Sequence, residues 1–541
     1  CVCCTSLSKI GINFVSCCMQ GKKQYQEKIF SHFQLSDRIS ETNFYRRLKG
    51  VLDLDFLYPL TKHYYGESGQ KSIDPVVFFK LCLVGYLENI ISDRKLIDHS
   101  SLRLDILYFL NYDIDDELPW HSTISRTRQL FPESIFEEVF TTVLTMCVEK
   151  GMVSGHTQAI DSAPVKANAS MDTLELKVPK EDLEAHLKSI RHISAMDKED
   201  TPIRKAKINK APKEQQGITA SNKELQSIKS RNKKWQKDQD QRPGAGNKGS
   251  KYTSNKTHYS PTDPDARISV IPIAIGTGKA RKLNYMSQLS VDTAHHVITD
   301  IWAYHADKKD NQYLEDIIGR LQPRLYKQGL LWRNCVADTG YSSGENYAFL
   351  EQIGLESYIP PHGTYKGGPD GFVYKKEHDY YLCPQGEIIP FKKVFYEKKN
   401  NTKKKEYRAS TKICKGCPVR LNCLGKTSQE KKFTVTFYRE EYERAIARVE
   451  SKRGKYMKAK RQSTVEPVFG TLTQFRGLRK INTIGIKQAN KVMHMSAIAY
   501  NLKKYLKFIS KTVKSDAKAM HHLLNSIKAM LGLKTRLLES T

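Results

Sequence analysis

At 541 residues the chain is too long for one ordinary core, and 88 Lys plus Arg against 58 Asp plus Glu leave a formal net charge of +30. A positive field of that size concentrates polyanions and releases their counterions, so nucleic acid is the default partner and a merely solvated basic surface the bland alternative. The basic residues are not confined to one amphipathic stretch, and no apolar run approaches the roughly 20 residues that span a bilayer, which speaks against a membrane protein.

The opening residues 1–29 read as a leader without structure. Cys1–Cys18 has no charged segment followed by an apolar one, does not begin with Met, and leaves Met19 as the expected start. Scattered Cys82, Cys147 and Cys335 without a secretory signal imply reduced thiols in a cytosolic protein. From Asp74-Pro75 onward, Val76, Phe79, Leu83, Tyr86, Leu87 and Ile90 recur at helical spacing, with Asp74 as N-cap and Pro75 at the first helical position. Segments 92–99, 101–110 and 122–131 follow as helices, so 30–150 is expected to be an all-helical N-terminal domain. The helix that begins near His121 presents hydroxyls with Arg126 and Arg128, and reads either as the second element of a helix-turn-helix on DNA or as a surface helix of a bundle.

A short apolar strand leads to Asp161. Residues 172–256 then turn Lys-rich and polar, an insertion that either tracks phosphates or is solvated. Strand-like segments return at 268–275, 283–292 and 296–305, followed by a helix over 311–322, a strand over 331–337, a helix over 345–353 and a strand over 355–359. With the strand before Asp161 this order predicts an α/β fold built on a mixed sheet with covering helices.

Three acidic residues stand in contexts that suit phosphoryl transfer: Asp161 and Asp338 at expected strand ends, Glu466 at an expected helix start. Metal-dependent phosphoryl transfer needs carboxylates converging on hard cations spaced roughly 3.5–4 Å apart, and neighbouring strand ends supply such convergence. For any single Asp in such a place, a turn or helix cap is the commoner role. Asp292 and Asp310 compete with Asp338 for the second position; Asp338 follows the cleaner apolar strand.

The ordered set Ala-Ile-Asp161-Ser-Ala-Pro-Val-Lys, Ser-Pro-Thr-Asp263-Pro-Asp265-Ala-Arg267, Ala-Asp338-Thr-Gly-Tyr341, Val-Glu466-Pro-Val-Phe469-Gly470 and Phe475-Arg476-Gly477-Leu478-Arg479 resembles the bacterial insertion-sequence DDE transposases. The helical segment 70–150 is similar to the N-terminal domain of InsH-type members. The resemblance implies a ribonuclease H-like catalytic fold in which Asp161, Asp338 and Glu466 hold two Mg²⁺ or Mn²⁺ ions. It implies hydrolysis at the element ends, transfer of the freed 3′-hydroxyl to target double-stranded DNA, a synaptic homodimer, and a cytoplasmic, nucleoid-associated place of work. Relatives often carry a Tyr-x2-Arg-x3-Glu-x6-Lys pattern; here Ala459, Gln462 and Thr473 stand at those positions, with Arg461, Arg476, Arg479 and Lys480 near enough to take over the phosphate contacts. The rival readings are a related ribonuclease H-like nuclease and a transposase-derived DNA-binding protein without catalysis.

Cys383, Cys414, Cys417 and Cys423 interrupt that pattern. Four thiolates could close a tetrahedral Zn²⁺ site, although Cys383 lacks a nearby second cysteine, and isolated reduced thiols are the alternative. The expected organisation is therefore a catalytic core over 151–171 and 257–375, a Cys-containing segment over 376–435, core helices over 436–508, and a basic helical tail over 509–541.

Overall fold

The computed structural model describes residues 34–66, 72–179, 218–221, 224–225, 254–272, 279–363, 365, 367–397, 402–424 and 427–510. The expected leader, most of the Lys-rich segment 172–256 and the tail beyond residue 510 lie outside the described residues.

The N-terminal region is helical: α1 (Leu35–Arg38), α2 (Phe44–Lys49), α3 (Leu57–Thr61), α4 (Pro75–Leu87), α5 (Asp93–Ser101), α6 (Leu104–Leu110), α7 (His121–Leu130) and α8 (Glu133–Glu149). α4 starts as its sequence demands, the Asp74 carboxylate accepting from the N–H groups of Val76 and Val77 at 2.7 and 3.2 Å with Pro75 in the first turn. Its residues 75–85 are buried on all sides, Lys80 included, and the Lys80 ammonium lies 5.3 Å from the Phe109 ring centre.

The main sheet consists of β1 (Thr157–Lys166), β2 (Arg267–Pro272), β3 (Lys279–Asp292), β4 (Ile298–His305), β5 (Asn334–Ala337) and β6 (Glu356–Tyr358). Its spatial order is β6-β5-β1-β3-β2, with β4 also pairing β3. β3 runs antiparallel to β1 and β4 antiparallel to β3, whereas β5 and β6 are parallel to β1 and β5 respectively. The parallel pairs need crossovers, which α9 (Leu314–Lys327) and α10 (Gly344–Gln352) provide. The order of strands and helices is the expected one, and the mixed α/β class with a helical N-terminal region stands.

Three differences are informative. β1 does not end at Asp161; it continues to Lys166 through Pro164, because β3 pairs it to the end while its other flank has no strand partner beyond Ile160, and a proline needs no partner there. Glu466 does not start a helix; it lies deep within α14 (Lys452–Phe475), which runs through Pro467. Residues 373–436 form a second, antiparallel sheet that the sequence reading did not foresee: β7 (Val373–Lys375), β8 (Tyr380–Leu382), β9 (Ile388–Glu397), β10 (Thr402–Arg408) and β11 (Lys432–Thr436). Between β10 and β11 lie two one-turn helices, α11 (Thr411–Lys415) and α12 (Arg420–Cys423); α13 (Arg439–Glu450) then leads to α14, and a last helix, α15, spans 486–510.

Both faces of the main sheet are covered. Ile160, Cys335 and Ala337 pack on α9, α10 and Ala445 of α13. Ala159, Val165, Leu289 and Val291 face the other way into a core continuous with α14, α15 and the N-terminal helices. Among the described residues no helix is long and apolar enough to cross a membrane.

Candidate active site

The parallel ladder between β1 and β5 runs from Thr157↔Asn334 to Ile160↔Ala337. Asp161 and Asp338 are the next residue on each chain, and neighbouring strands lie about 4.8 Å apart. Because side chains alternate, Asp161 faces away from Ile160, toward α14. There Arg461 reaches it, with Nη1 2.7 Å from Asp161 Oδ2. The chain then turns sharply at Asp338, whose carboxylate accepts from the Gly340 N–H at 2.9 Å and caps the short turn Thr339–Tyr341.

That turn accounts for the Ala-Asp-Thr-Gly-Tyr motif. A Cβ on Gly340 would stand 3.0 Å from both Asp338 Oδ1 and Asp310 Oδ2, so glycine is what lets the two carboxylates approach. Tyr341 is fully buried and its hydroxyl donates to Gln288 Oε1, while Gln288 Nε2 donates to Asp310 Oδ1 at 2.9 Å. Gln288 thus fixes Asp310 through one end and Tyr341 through the other. Asp310 came second to Asp338 in the sequence reading; both are present at this corner.

The electrostatics mark the pair as strained. Burial pushes the Asp161 carboxyl up to about 6, against the pull of Arg461, and the charge of Asp338 adds to the rise. Asp338 is also raised, first by burial and then by the Asp310 charge. Burial and the charges of Asp310, Asp161 and Asp338 together hold the Tyr341 hydroxyl protonated. A cation at this corner would relieve both the repulsion and the desolvation.

Glu466 is not brought to the pair. It is exposed, flanked by buried Val465 and Val468, and five residues past Arg461 it points about 140° around the helix from the face that meets Asp161. Among the described residues no three His, Cys, Asp or Glu side chains converge to hold a metal. The donor set therefore fits a cation at Asp161 and Asp338, and lacks a third carboxylate from α14.

Of the six expected DNA-contact residues, Arg461 is held by Asp161 and the other five divide into two groups. Arg126, Arg479 and Lys480 are exposed. Arg128 instead clamps Asp93 with bonds of 2.9 and 2.7 Å, and buried Arg476 donates to the carbonyls of Leu87 and Phe475 at 2.7 and 2.9 Å, joining the first helical region to α14. Their charge is spent inside the protein, a fate that sequence spacing does not reveal. Asp292, the other rival, accepts from the Gly155 N–H and the Gln158 amide and serves as a buried loop anchor. Asp263 and Asp265 accept from the N–H groups of Gly485 and Ile486, so the Asp-Pro-Asp motif secures the start of α15.

Beside α14 opens a cleft of about 770 Å³ lined by Pro467, Thr471, Phe475, His295, His296, Lys503, Lys504 and Lys507. The sequence placed this stretch among the core helices over 436–508 and did not single out this basic wall.

A mixed sheet that brings two carboxylates to the ends of a parallel ladder, in a chain of charge +30, suits a protein that acts on nucleic acids. Residues 33–130 match the family model described as transposase domain (DUF772), and residues 382–506 match the transposase DDE domain. Both matched segments thus resemble transposase domains, and they support reading the chain as a DDE transposase of insertion-sequence type. No curated protein matches it.

Proposed function

We propose that the protein cuts DNA at the ends of its insertion element and joins the freed 3′-hydroxyls to target DNA, on a ribonuclease H-like core. The observation that carries this reading is the placement of Asp161 and Asp338 directly after the last paired position, Ile160↔Ala337, of two adjacent parallel strands, both with raised carboxyl pKa. The strand order, with three antiparallel pairings around β3 and two parallel pairings joined through α9 and α10, supports the ribonuclease H-like assignment.

Asp161 and Asp338 would hold the divalent cation, Mg²⁺ or Mn²⁺. When bound, such an ion polarises the phosphoryl oxygen and lowers the pKa of the nucleophile. In the first step water attacks the scissile phosphorus, its proton passes to solvent or a carboxylate, and the 3′-oxygen leaves. In the second step that 3′-hydroxyl attacks a target phosphodiester, forming one P–O bond as another breaks. Arg461, already on the reacting side of the sheet, neutralises Asp161 until substrate arrives and then offers its guanidinium to a phosphate. Gln288, itself held by Tyr341, keeps Asp310 oriented, and the Gly340 N–H does the same for Asp338.

Glu466 completes the triad in this proposal by a turn of α14. Pro467 removes the N–H that would bond the Ser463 carbonyl, so the helix is weakest beside Glu466. The cleft beside α14, with Lys503, Lys504 and Lys507, is the proposed path of the DNA backbone, together with Arg126, Arg479 and Lys480. Because two ends must be processed together, the working form is a dimer. The outward position of Glu466 favours a second reading, DNA binding without catalysis.

Incubation of the protein and a divalent cation with labelled 3′-hydroxyl element ends and a plasmid separates these readings. Joined products establish transposition, cleavage without joining leaves a nuclease, and binding alone leaves the inactive form.

A further inference from the structure

The described residues include seven cysteines, all with free thiols. Cys82, Cys147 and Cys335 are buried in the two large cores. The other four, Cys383, Cys414, Cys417 and Cys423, line a single cleft of about 260 Å³ at the end of the second sheet. We propose that this cleft is a structural zinc site closed by the four thiolates, independent of the catalytic centre.

Three observations carry the proposal. The first is the shared cleft: no three of these side chains yet stand close enough to hold a metal, but all four line one cavity, Cys383 leaving β8 and the other three coming from the segment between β10 and β11, thirty and more positions later in the chain. The second is that local backbone bonds already shape the turns that present these thiols. The Cys383 N–H donates to the Glu387 carbonyl at 2.9 Å and the Gly386 N–H to the Cys383 carbonyl at 2.8 Å, with Gly386 at a φ of +80°. The Arg420 N–H donates to the Cys417 carbonyl at 3.1 Å, and the Cys423 N–H to the Val419 carbonyl at 3.0 Å.

The third is an energetic deficit. Neither α11 nor α12 buries a single residue, and Leu421 is 93% exposed. One-turn helices are not stable by themselves, and the local core offers only Tyr381, Ile389, Tyr407, Ala409 and Val435 with a few partly buried neighbours. A bound zinc ion supplies such a segment with the folding energy that its side chains do not.

The chemistry of the donors suits zinc rather than a harder cation, since thiolates are soft ligands and four of them satisfy tetrahedral coordination. The four thiolates would carry an excess of two negative charges over the ion. Lys431, which also lines the cleft and donates from Nζ to the Cys423 carbonyl at 2.9 Å, offsets part of it. Among the described residues no three such side chains already form a closed cage. Binding therefore draws the α11–α12 segment inward, toward sulfur separations of roughly 3.8 Å set by Zn–S bonds of about 2.3 Å.

The test uses the full chain purified without chelators. Metal analysis should find about one zinc per chain, as a four-thiolate site requires. The Cys414→Ser/Cys417→Ser variant should lose at least nine-tenths of it while the main fold, followed by circular dichroism, persists. Cobalt(II) exchanged into the wild-type protein should show the visible bands and sulfur charge-transfer absorption of a tetrahedral thiolate site, which gives an answer even where the variant fails to fold. Absence of zinc together with absence of the cobalt spectrum would overturn the proposal, as would unchanged zinc in the double variant or thiol titration that finds these cysteines joined as disulfides.

Discussion

At the scale of single residues, Asp161 is both the most informative side chain and a costly one. Its folded pKa of about 6 lies above the ordinary 3.8, so the folded state binds the proton more tightly than the unfolded chain does. The sign follows: its contribution to stability is full below about 3.8 and is lost as pH rises through about 6. Asp161→Asn is therefore expected to raise the melting temperature at pH 8, by an amount worth roughly 1–3 kcal/mol, and to change it little at pH 4. Thermal denaturation at the two pH values checks this; equal shifts at both would mean that the carboxylate is not under strain.

The third carboxylate is a question of the same scale. Glu466 was legible as a candidate from its motif, and Asp310 as a rival, but their positions depend on helix phase and on a Gly340 turn that no pattern of apolar residues encodes. Cleavage kinetics of Glu466→Gln and Asp310→Asn decide between them. A loss of at least about 100-fold for Glu466→Gln, with less than about tenfold for Asp310→Asn, supports the turning of α14; the reverse would assign the third place to Asp310.

Among elements, β1, β4 and β5 of the main sheet were readable because each carries buried apolar residues such as Ile160, Ile301 and Val336. The second sheet was not, because β10 reads Thr-Lys-Lys-Lys-Glu-Tyr-Arg and depends on cross-strand pairing rather than hydropathy. The join between the helical region and the sheet was also hidden. Arg324 of α9 bonds Asp300 of β4 and Glu137 of α8, and Arg320 adds a contact to Asp300 at 3.1 Å. Burial opposes the charge on Asp300, yet Arg324 and Arg320 hold its pKa below the ordinary value. Arg324→Ala leaves that buried carboxylate half-paired and should cost about 3–5 kcal/mol in chemical denaturation. A change under about 1 kcal/mol would show that the network does not tie α8 to the sheet.

Across the whole molecule, one hydrophobic core runs from Tyr45 in α2 through the sheet to Leu506 in α15, so the helical region and the catalytic core are built to unfold together. Charge was the molecular property most legible in the sequence, but not its distribution: Arg128 and Arg476 are used internally, and the basic cleft is assembled from α14, α15 and the turn at His295. If that cleft carries DNA phosphates, Lys503→Ala/Lys507→Ala should weaken binding and lower the slope of log affinity against log salt by about 2. An unchanged slope would move the DNA path elsewhere.

The central claim is that Asp161 and Asp338 form the reacting centre. It is tested most directly by cleavage of element-end DNA with Mg²⁺ or Mn²⁺, measured for the wild type, Asp161→Ala and Asp338→Ala beside their DNA affinities. The account predicts that each variant binds DNA within about threefold of the wild type and loses cleavage by at least about 1,000-fold. Cleavage at the wild-type rate by either variant would contradict it.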